Sequence, residues 1–275
     1  MSDLFSYKGK RVIISGCYSG MGEATARYLL QLGAEVHGID YKECRLELAS
    51  FNTVDLRDPA AIDAVVGKIG GRVDALFNCA GLPQTAAPVD VMKVNYAATR
   101  RLTERVVPLM PEGSAVCSIS STAGLGWSRK MQVLMPLMQI GDYAGIVQWC
   151  EQNLETVREG YSFSKEALVV WTMMSSAHLI KKGIRINCTL PGPTQTPMMK
   201  HFESATPVSI IDAAAQPINR RATPEEQAAA LVFLNSGAAS YINGVALPVD
   251  GGFLGGIATG QIDMASLTGG AKPQG

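Results

Sequence analysis

Tyr161 and Lys165 are the residues of this 275-residue chain whose types and spacing point most directly to chemistry. Four positions apart at the start of a helical run, they share one helix face. A phenol titrates near ~10, and a neighbouring ammonium favours its ionised form, so such a pair can serve as a proton acceptor at neutral pH. The bland alternative is a structural Tyr–Lys pair, which is common at this spacing. Ser121 closes an apolar run, where a serine is usually a turn residue. Asn95 lies inside a helical stretch, where an asparagine is usually solvated or marks a kink. The reading therefore depends on what positions these four.

Residues 11–22 read RVIISGCYSGMG. A buried-strand run (Val12 to Ile14) leads into Gly16, Gly20 and Gly22, then into helical sequence. Glycines allow a phosphate to approach the main chain, and the free N–H groups of the following helix can hold a pyrophosphate. Gly16, Ser19, Gly20, Met21 and Gly22 are therefore candidate cofactor contacts. Alone, such a turn is also ordinary punctuation. A second strand reads from Glu35 to Ile39, and Asp40 follows it, about 20 residues beyond the loop. A carboxylate there can accept both ribose hydroxyls of an adenosine and repel a 2′-phosphate, which favours NAD over NADP. Lys42 and Arg45, close by, weaken that discrimination; a plain strand-end aspartate is the structural alternative.

Further strands are expected at 52–56, 74–79, 113–120, 185–190 and 245–249. Helices are expected at 59–69 with Asp58 as N-cap, at 92–110, at 161–180, and after Thr223-Pro224. Alternating strands and helices imply a doubly wound parallel sheet of about seven strands.

Taken together, G-x-x-x-G-x-G at Gly16–Gly22, Asp40, Asn78-Cys79-Ala80-Gly81, Val94-Asn95, Ser121, Tyr161-x-x-x-Lys165 and Pro191-Gly192-Pro193-Thr194-Gln195-Thr196 resemble the short-chain dehydrogenase/reductase family over about residues 10–252. The resemblance implies a catalytic set of Asn95, Ser121, Tyr161 and Lys165. Tyr161 would be the acid/base and Ser121 would hold the substrate oxygen. Lys165 would lower the phenol's pKa and bond the nicotinamide ribose, and Asn95 would complete a proton path through its main chain. It also implies cofactor contacts at Asp55 and Leu56, at Asn78, Ala80 and Gly81, and at Pro191, Gly192, Thr194 and Thr196. The Tyr–Lys spacing speaks against the enoyl reductase branch and for alcohol or ketone chemistry.

Two stretches leave the family outline. A long insertion, about 128–158, precedes Tyr161 and resembles the subgroup of hydroxysteroid and coniferyl alcohol dehydrogenases. Within it, Tyr143, Val147, Cys150, Leu154 and Val157 recur at helical spacing, and Pro136 should break or kink any helix around Met131–Met138. The methionine-rich face is expected to roof a pocket for a bulky apolar substrate, such as a steroid or an aryl alcohol. The added helices are also expected to obstruct the family's helix-bundle dimer. The second stretch is a tail, 253–275, whose composition permits disorder.

Lys plus Arg equals Asp plus Glu, 24 each, so the net charge is zero. With no basic stripe, a nucleic-acid partner is not expected. Six cysteines without any C-x-x-C read as free thiols in a reducing cytoplasm, and no metal site is expected. The N-terminus lacks a signal-like apolar core, and no run is long enough to span a bilayer. The expectation is a cytoplasmic, homodimeric or homotetrameric NAD-dependent enzyme of one catalytic domain, 1–252. The rival reading is an NAD(H)-binding protein on the same fold that senses without turnover.

Overall fold

The computed structural model describes residues 3–263. Its strands are β1 (Arg11–Ser15), β2 (Glu35–Asp40), β3 (Ser50–Thr53), β4 (Ala75–Asn78), β5 (Ala115–Ile119), β6 (Arg185–Pro191) and β7 (Ala246–Val249). They form one parallel sheet in the order β3-β2-β1-β4-β5-β6-β7. The winding direction reverses between β1 and β4, so the carboxyl ends of those strands open the crevice where ligands bind in such sheets. Alternation along β1 builds both faces: Ile13 enters one core, Val12 and Ile14 the other.

The helices up to the fifth strand are α1 (Gly20–Gln31), α2 (Pro59–Ile69), α3 (Pro88–Met92) and α4 (Thr99–Val106). Asp58 caps α2 by accepting from the Ala60 N–H at 2.9 Å. Residues 93–98, between α3 and α4, form a π-helical turn that contains Asn95. The β3 strand lies earlier than the pattern suggested. Its ladder ends where β2 ends: Thr53 pairs Asp40, and the Val54 N–H makes the final bond to the Asp40 carbonyl at 2.8 Å.

The insertion contributes α5 (Met131–Gln139), α6 (Tyr143–Gln152) and α7 (Leu154–Val157). Asp142 caps α6 through the Gly145 N–H at 2.9 Å. Two expectations change here. Helix α5 runs through Pro136; the carbonyl that loses its partner belongs to Gln132, which is exposed and can bond water. Tyr143, Cys150 and Val157 are buried as expected, and Ile146 joins them; Leu154 is 51% exposed, because Asn153 interrupts the helix and resets its phase.

The roof expectation also gives way. Leu134, Leu137 and Met138 are buried in the main core, and Met131 and Met135 pack against the same cluster. The Tyr96 hydroxyl meets Met138 Sδ at 3.4 Å, and the Trp149 and Phe163 rings stack at 5.9 Å. The insertion thus packs on residues 88–98 and on α8 (Tyr161–Leu179).

Beyond β6 come α9 (Met199–Ala205), α10 (Val208–Ala213) and α11 (Pro224–Asn235), the last opened by a reciprocal Thr223–Glu226 capping box. The expected tail begins as a helix, α12 (Phe253–Ala258), held by buried Phe253 and by Ile262 against Gly256. Residues 264–275 of that tail lie outside the described residues. Among the described residues no helix is long and apolar enough to cross a membrane, and no His, Cys, Asp and Glu cluster could hold a metal.

The insertion should behave as core. Leu134→Ala should destabilise the protein by about 2–5 kcal/mol in urea unfolding, the range for a buried leucine that leaves a cavity. A loss below about 1 kcal/mol would mean that α5 is only loosely docked.

Candidate active site

The glycine turn is built against the loop after β4. A Cβ on Gly16 would stand 2.4 Å from the Ala80 nitrogen, and Gly16 also has φ +78°. A Cβ on Gly22 would fall 2.0 Å from the Gly16 carbonyl oxygen. Only glycine fits either place. The Cys79 N–H bonds the Ser15 carbonyl and the Gly16 N–H bonds the Ile39 carbonyl, so β1, β2 and β4 all converge on this turn. Ser19, the N-cap of α1, makes no side-chain cap bond, which leaves the first N–H groups of the helix available to an anion. Met21 packs its side chain on the core beside α1.

Asp40 is buried at the end of β2, and its carboxylate accepts from the Tyr18 N–H at 2.9 Å and the Lys42 N–H at 3.1 Å. Those bonds fix it beside the turn and leave lone pairs for two more donors. From the other side of the crevice, Thr196 reaches the turn; a Cβ on Gly20 would meet its Cγ2 at 3.2 Å. Thr194 is buried, and its hydroxyl bonds the Gly192 carbonyl. Gly192 bonds Val249 at the end of β7, following Pro191. A glycine cradle, an open helix start and a fixed carboxylate together fit a dinucleotide.

Asp55 gives both carboxylate oxygens to Arg57, with the closest contact at 2.6 Å, and this pairing holds its carboxyl below the usual range. Leu56 turns its side chain into the core. The Val54 N–H bond to the Asp40 carbonyl holds the backbone of this segment beside Asp40. Asn78 works beneath the site, donating to Thr103 and Ser118.

The four proposed catalytic residues come together at the ends of β4 and β5. Lys165 is 4% exposed, and its ammonium donates to the Ile119 carbonyl at 2.8 Å. It lies 5.5 Å from the Tyr161 ring centre. Ser121 stands beside the Tyr161 phenol and draws its pKa down, while its hydroxyl accepts from the Ala123 N–H at 3.1 Å. Asn95, 1% exposed, clamps Leu82 from both sides, accepting from its N–H at 2.7 Å and donating to its carbonyl at 3.0 Å. Gly81 sits between Asn95 and Lys165: a Cβ there would lie 3.4 Å from Asn95 Oδ1 and 4.0 Å from Lys165 Nζ.

Several supporting residues carry no sequence signal strong enough to single them out. The Ser120 hydroxyl donates to the Lys165 carbonyl at 2.9 Å and ties α8 to β5. The Ser164 hydroxyl donates to the Tyr161 carbonyl at 2.7 Å and accepts from Asn95 at 3.3 Å. Both lie inside recognisable runs, Ser120-Ser121 and Y-S-F-S-K, so their neighbourhood was the clue. Gly124 lets the backbone of α8 pass close: its Cβ would be 3.0 Å from the Lys165 carbonyl oxygen.

Burial dominates the electrostatics. It pushes the Tyr161 phenol up to about 12, against the downward pull of neighbouring Ser121. It lowers the Lys165 ammonium to about 8, with Cys188 and Cys79 acting weakly in the other direction. Both groups are therefore held toward their neutral forms.

Comparison with known proteins decides the family. A family model described as Enoyl-(Acyl carrier protein) reductase matches residues 16–254. The chain is 34% identical to the coniferyl-alcohol dehydrogenase of a Pseudomonas species, over 88% of this chain and 96% of that one. The chain belongs to the short-chain dehydrogenase/reductase family. Within that family it is also 32% identical to the 3-alpha-hydroxysteroid dehydrogenase/carbonyl reductase of Comamonas testosteroni, over 88% and 95% of the two chains. Its fold matches the crystal structure of a Pseudomonas 3-alpha-hydroxysteroid dehydrogenase complexed with NADH, with a TM-score of 0.76, 28% identity, and coverage of 92% and 99%. The chain is thus a short-chain oxidoreductase by family, and a nicotinamide cofactor suits its cradle.

The buried ammonium has a measurable signature. In the unfolded chain Lys165 binds its proton up to the ordinary lysine value; in the fold it releases it near pH 8. Between these values the unfolded state holds more protons, so stability rises with pH, and the contribution is lost as pH falls through 8. Relative to Lys165→Met, the wild type should gain about 3 kcal/mol in urea unfolding between pH ~7 and ~10.5. A stability difference that stays flat with pH would show that Lys165 is not desolvated.

Proposed function

We propose that this protein is an NAD(H)-dependent oxidoreductase that interconverts a secondary alcohol and a carbonyl compound. Its substrate is bulky and apolar, such as a steroid or an aryl alcohol. The observation that carries the reading is the convergence of Ser121, Tyr161, Lys165 and Asn95 beside the glycine cradle and Asp40. The relatives' names, coniferyl-alcohol and 3-alpha-hydroxysteroid dehydrogenase, support the substrate class.

When bound, the nicotinamide supplies the acceptor or donor of the hydride. The chain supplies the proton chemistry. Hydride can leave an alcohol carbon only as its hydroxyl proton departs, so a base must stand at that oxygen. Tyr161 takes that proton in oxidation and returns it in reduction. The Ser121 hydroxyl bonds the substrate oxygen and holds it at the phenol. The Lys165 ammonium stabilises the phenolate from below. Asn95 keeps Leu82 and the adjoining loop in place, and the π turn around it offers a main-chain carbonyl for a relay to solvent.

Asp40 supports NAD as the preferred cofactor, because a buried carboxylate opposes a 2′-phosphate. The packing of the insertion against α8 supports a dimer or tetramer contact elsewhere on the molecule. Glycine and backbone packing leave no comparable account of why a mere sensor would retain the Ser–Tyr–Lys geometry.

The test is to incubate the pure protein with NAD or NADP and a panel of secondary and aryl alcohols, and to follow reduced nicotinamide absorbance. NAD should be preferred. Tyr161→Phe should lower kcat by about 100-fold or more, the scale of general acid–base catalysis, with NADH affinity nearly unchanged. NADH binding without turnover of any alcohol would favour the sensor. Equal kcat/KM for NAD and NADP would show that Asp40 does not discriminate.

A further inference from the structure

The segment after β6 carries α9 across the site, and one of its side chains meets the proposed acid/base. The Phe202 ring stands edge-on to the Tyr161 ring, with centroids 4.9 Å apart and planes at 73°. Phe202 is only partly buried, so part of its surface is open to a ligand.

Its position is fixed on two sides. At the back, Arg221 pairs Glu203 of α9 at 2.6 Å and Asp212 of α10 at 2.9 Å, and Met199 is buried beneath. At the front, α9 is clasped to the loop after β4. The Gln84 amide donates to the Thr206 hydroxyl at 3.0 Å, and the Thr85 hydroxyl meets His201 Nδ1 at 3.1 Å. That loop begins at Leu82, which Asn95 clamps from both sides. The ring is therefore held in register with the catalytic set by two independent ties.

The chemistry of this entrance is uneven. Phe202 offers a flat apolar face next to the reacting phenol. The clasp beyond it offers hydroxyl, amide and imidazole groups, and none of Gln84, Thr85, His201 or Thr206 is a fixed cation. A saturated ring gains apolar contact from such a wall. An aromatic ring gains that and the offset or edge-to-face pairing in addition, roughly 0.5–1.5 kcal/mol beyond area. An anionic substrate gains no ion pair from the clasp.

Resting on the function proposed above and narrowing it, we propose that Phe202 is the specificity-determining wall of the substrate site and that it selects an uncharged aryl alcohol, whose ring lies on Phe202 while its carbinol is held by Ser121 and Tyr161. Hydroxyl or ether substituents on the far side of that ring fall to Gln84, Thr85 and His201.

The experiment compares wild type with Phe202→Leu, which keeps apolar bulk and removes the π face, using the secondary alcohols 1-phenylethanol and 1-cyclohexylethanol as probes. Expected is a 2- to 10-fold loss in kcat/KM for 1-phenylethanol, the pairing energy above expressed as a rate ratio. 1-Cyclohexylethanol should change by less than about twofold, and the Kd for NADH should not move. Equal losses on both alcohols would reduce Phe202 to lid packing and overturn the proposal. A binding arm keeps the two proposals separable. If the wild type binds NADH and oxidises neither alcohol, the catalytic reading fails. The affinity of 1-phenylethanol for the NADH-loaded protein, read from NADH fluorescence, then decides this one: it should weaken 2- to 10-fold in Phe202→Leu, and an unchanged value would overturn it.

Discussion

A buried ammonium at the end of β5 is the constraint on which the site depends. Lys165 donates to the Ile119 carbonyl with almost no solvent contact, and that placement carries a desolvation cost that lowers its pKa to about 8. The fold tolerates the cost because α8 is locked to β5 by other means. Ser120 bonds the Lys165 carbonyl, Gly124 leaves room for the helix backbone, and Ser164 is shared between Tyr161 and Asn95. Each tie fixes the start of α8 against a strand end. Tyr161 is the first residue of that helix, so its position is a consequence of these ties.

The same logic extends outward. Gly16 and Gly22 bring β1 and α1 so close to Cys79 and Ala80 that the cradle and the catalytic loop are two sides of one contact. Asn95 holds the next residues of that loop, and Gln84 and Thr85 pass the constraint on to α9 and Phe202. The insertion braces the arrangement from behind. Phe163, on the first turn of α8, stacks on Trp149 of α6, and Tyr143 reaches across to the Arg57 carbonyl at 3.0 Å. An addition that leaves the sheet after Ser121 and returns before Tyr161 thus strengthens the wall behind the site instead of covering its mouth.

The parts legible in the sequence are those governed by local rules. Glycine turns, the caps at Asp58 and Thr223, the strand runs and the Tyr–Lys helix face all follow from neighbours in the chain. What was illegible depends on distant partners. The end of β3 is set by where β2 stops, the exposure of Leu154 by a break at Asn153, and the pairing of Asp55 by Arg57. Met131 and Met135 read as a pocket lining because composition cannot say which apolar surface they meet. The position of residues 198–216, just after Pro191–Thr196, suits a substrate loop, but nothing in the sequence singles out Phe202 within it, since its partner ring lies more than forty residues away.

The account's central claim is that burial keeps Tyr161 neutral until positive charge beside it makes it a base. The direct measurement is an ultraviolet difference titration of wild type against Tyr161→Phe, with and without saturating NAD. In the free protein the phenol should ionise only far above the ordinary tyrosine value, near the 12 to which burial pushes it. With the positively charged nicotinamide ring of bound NAD beside it, it should move down by about two units or more, the effect of an adjacent opposite charge. An ionisation that stays in the same place with and without NAD would contradict the account.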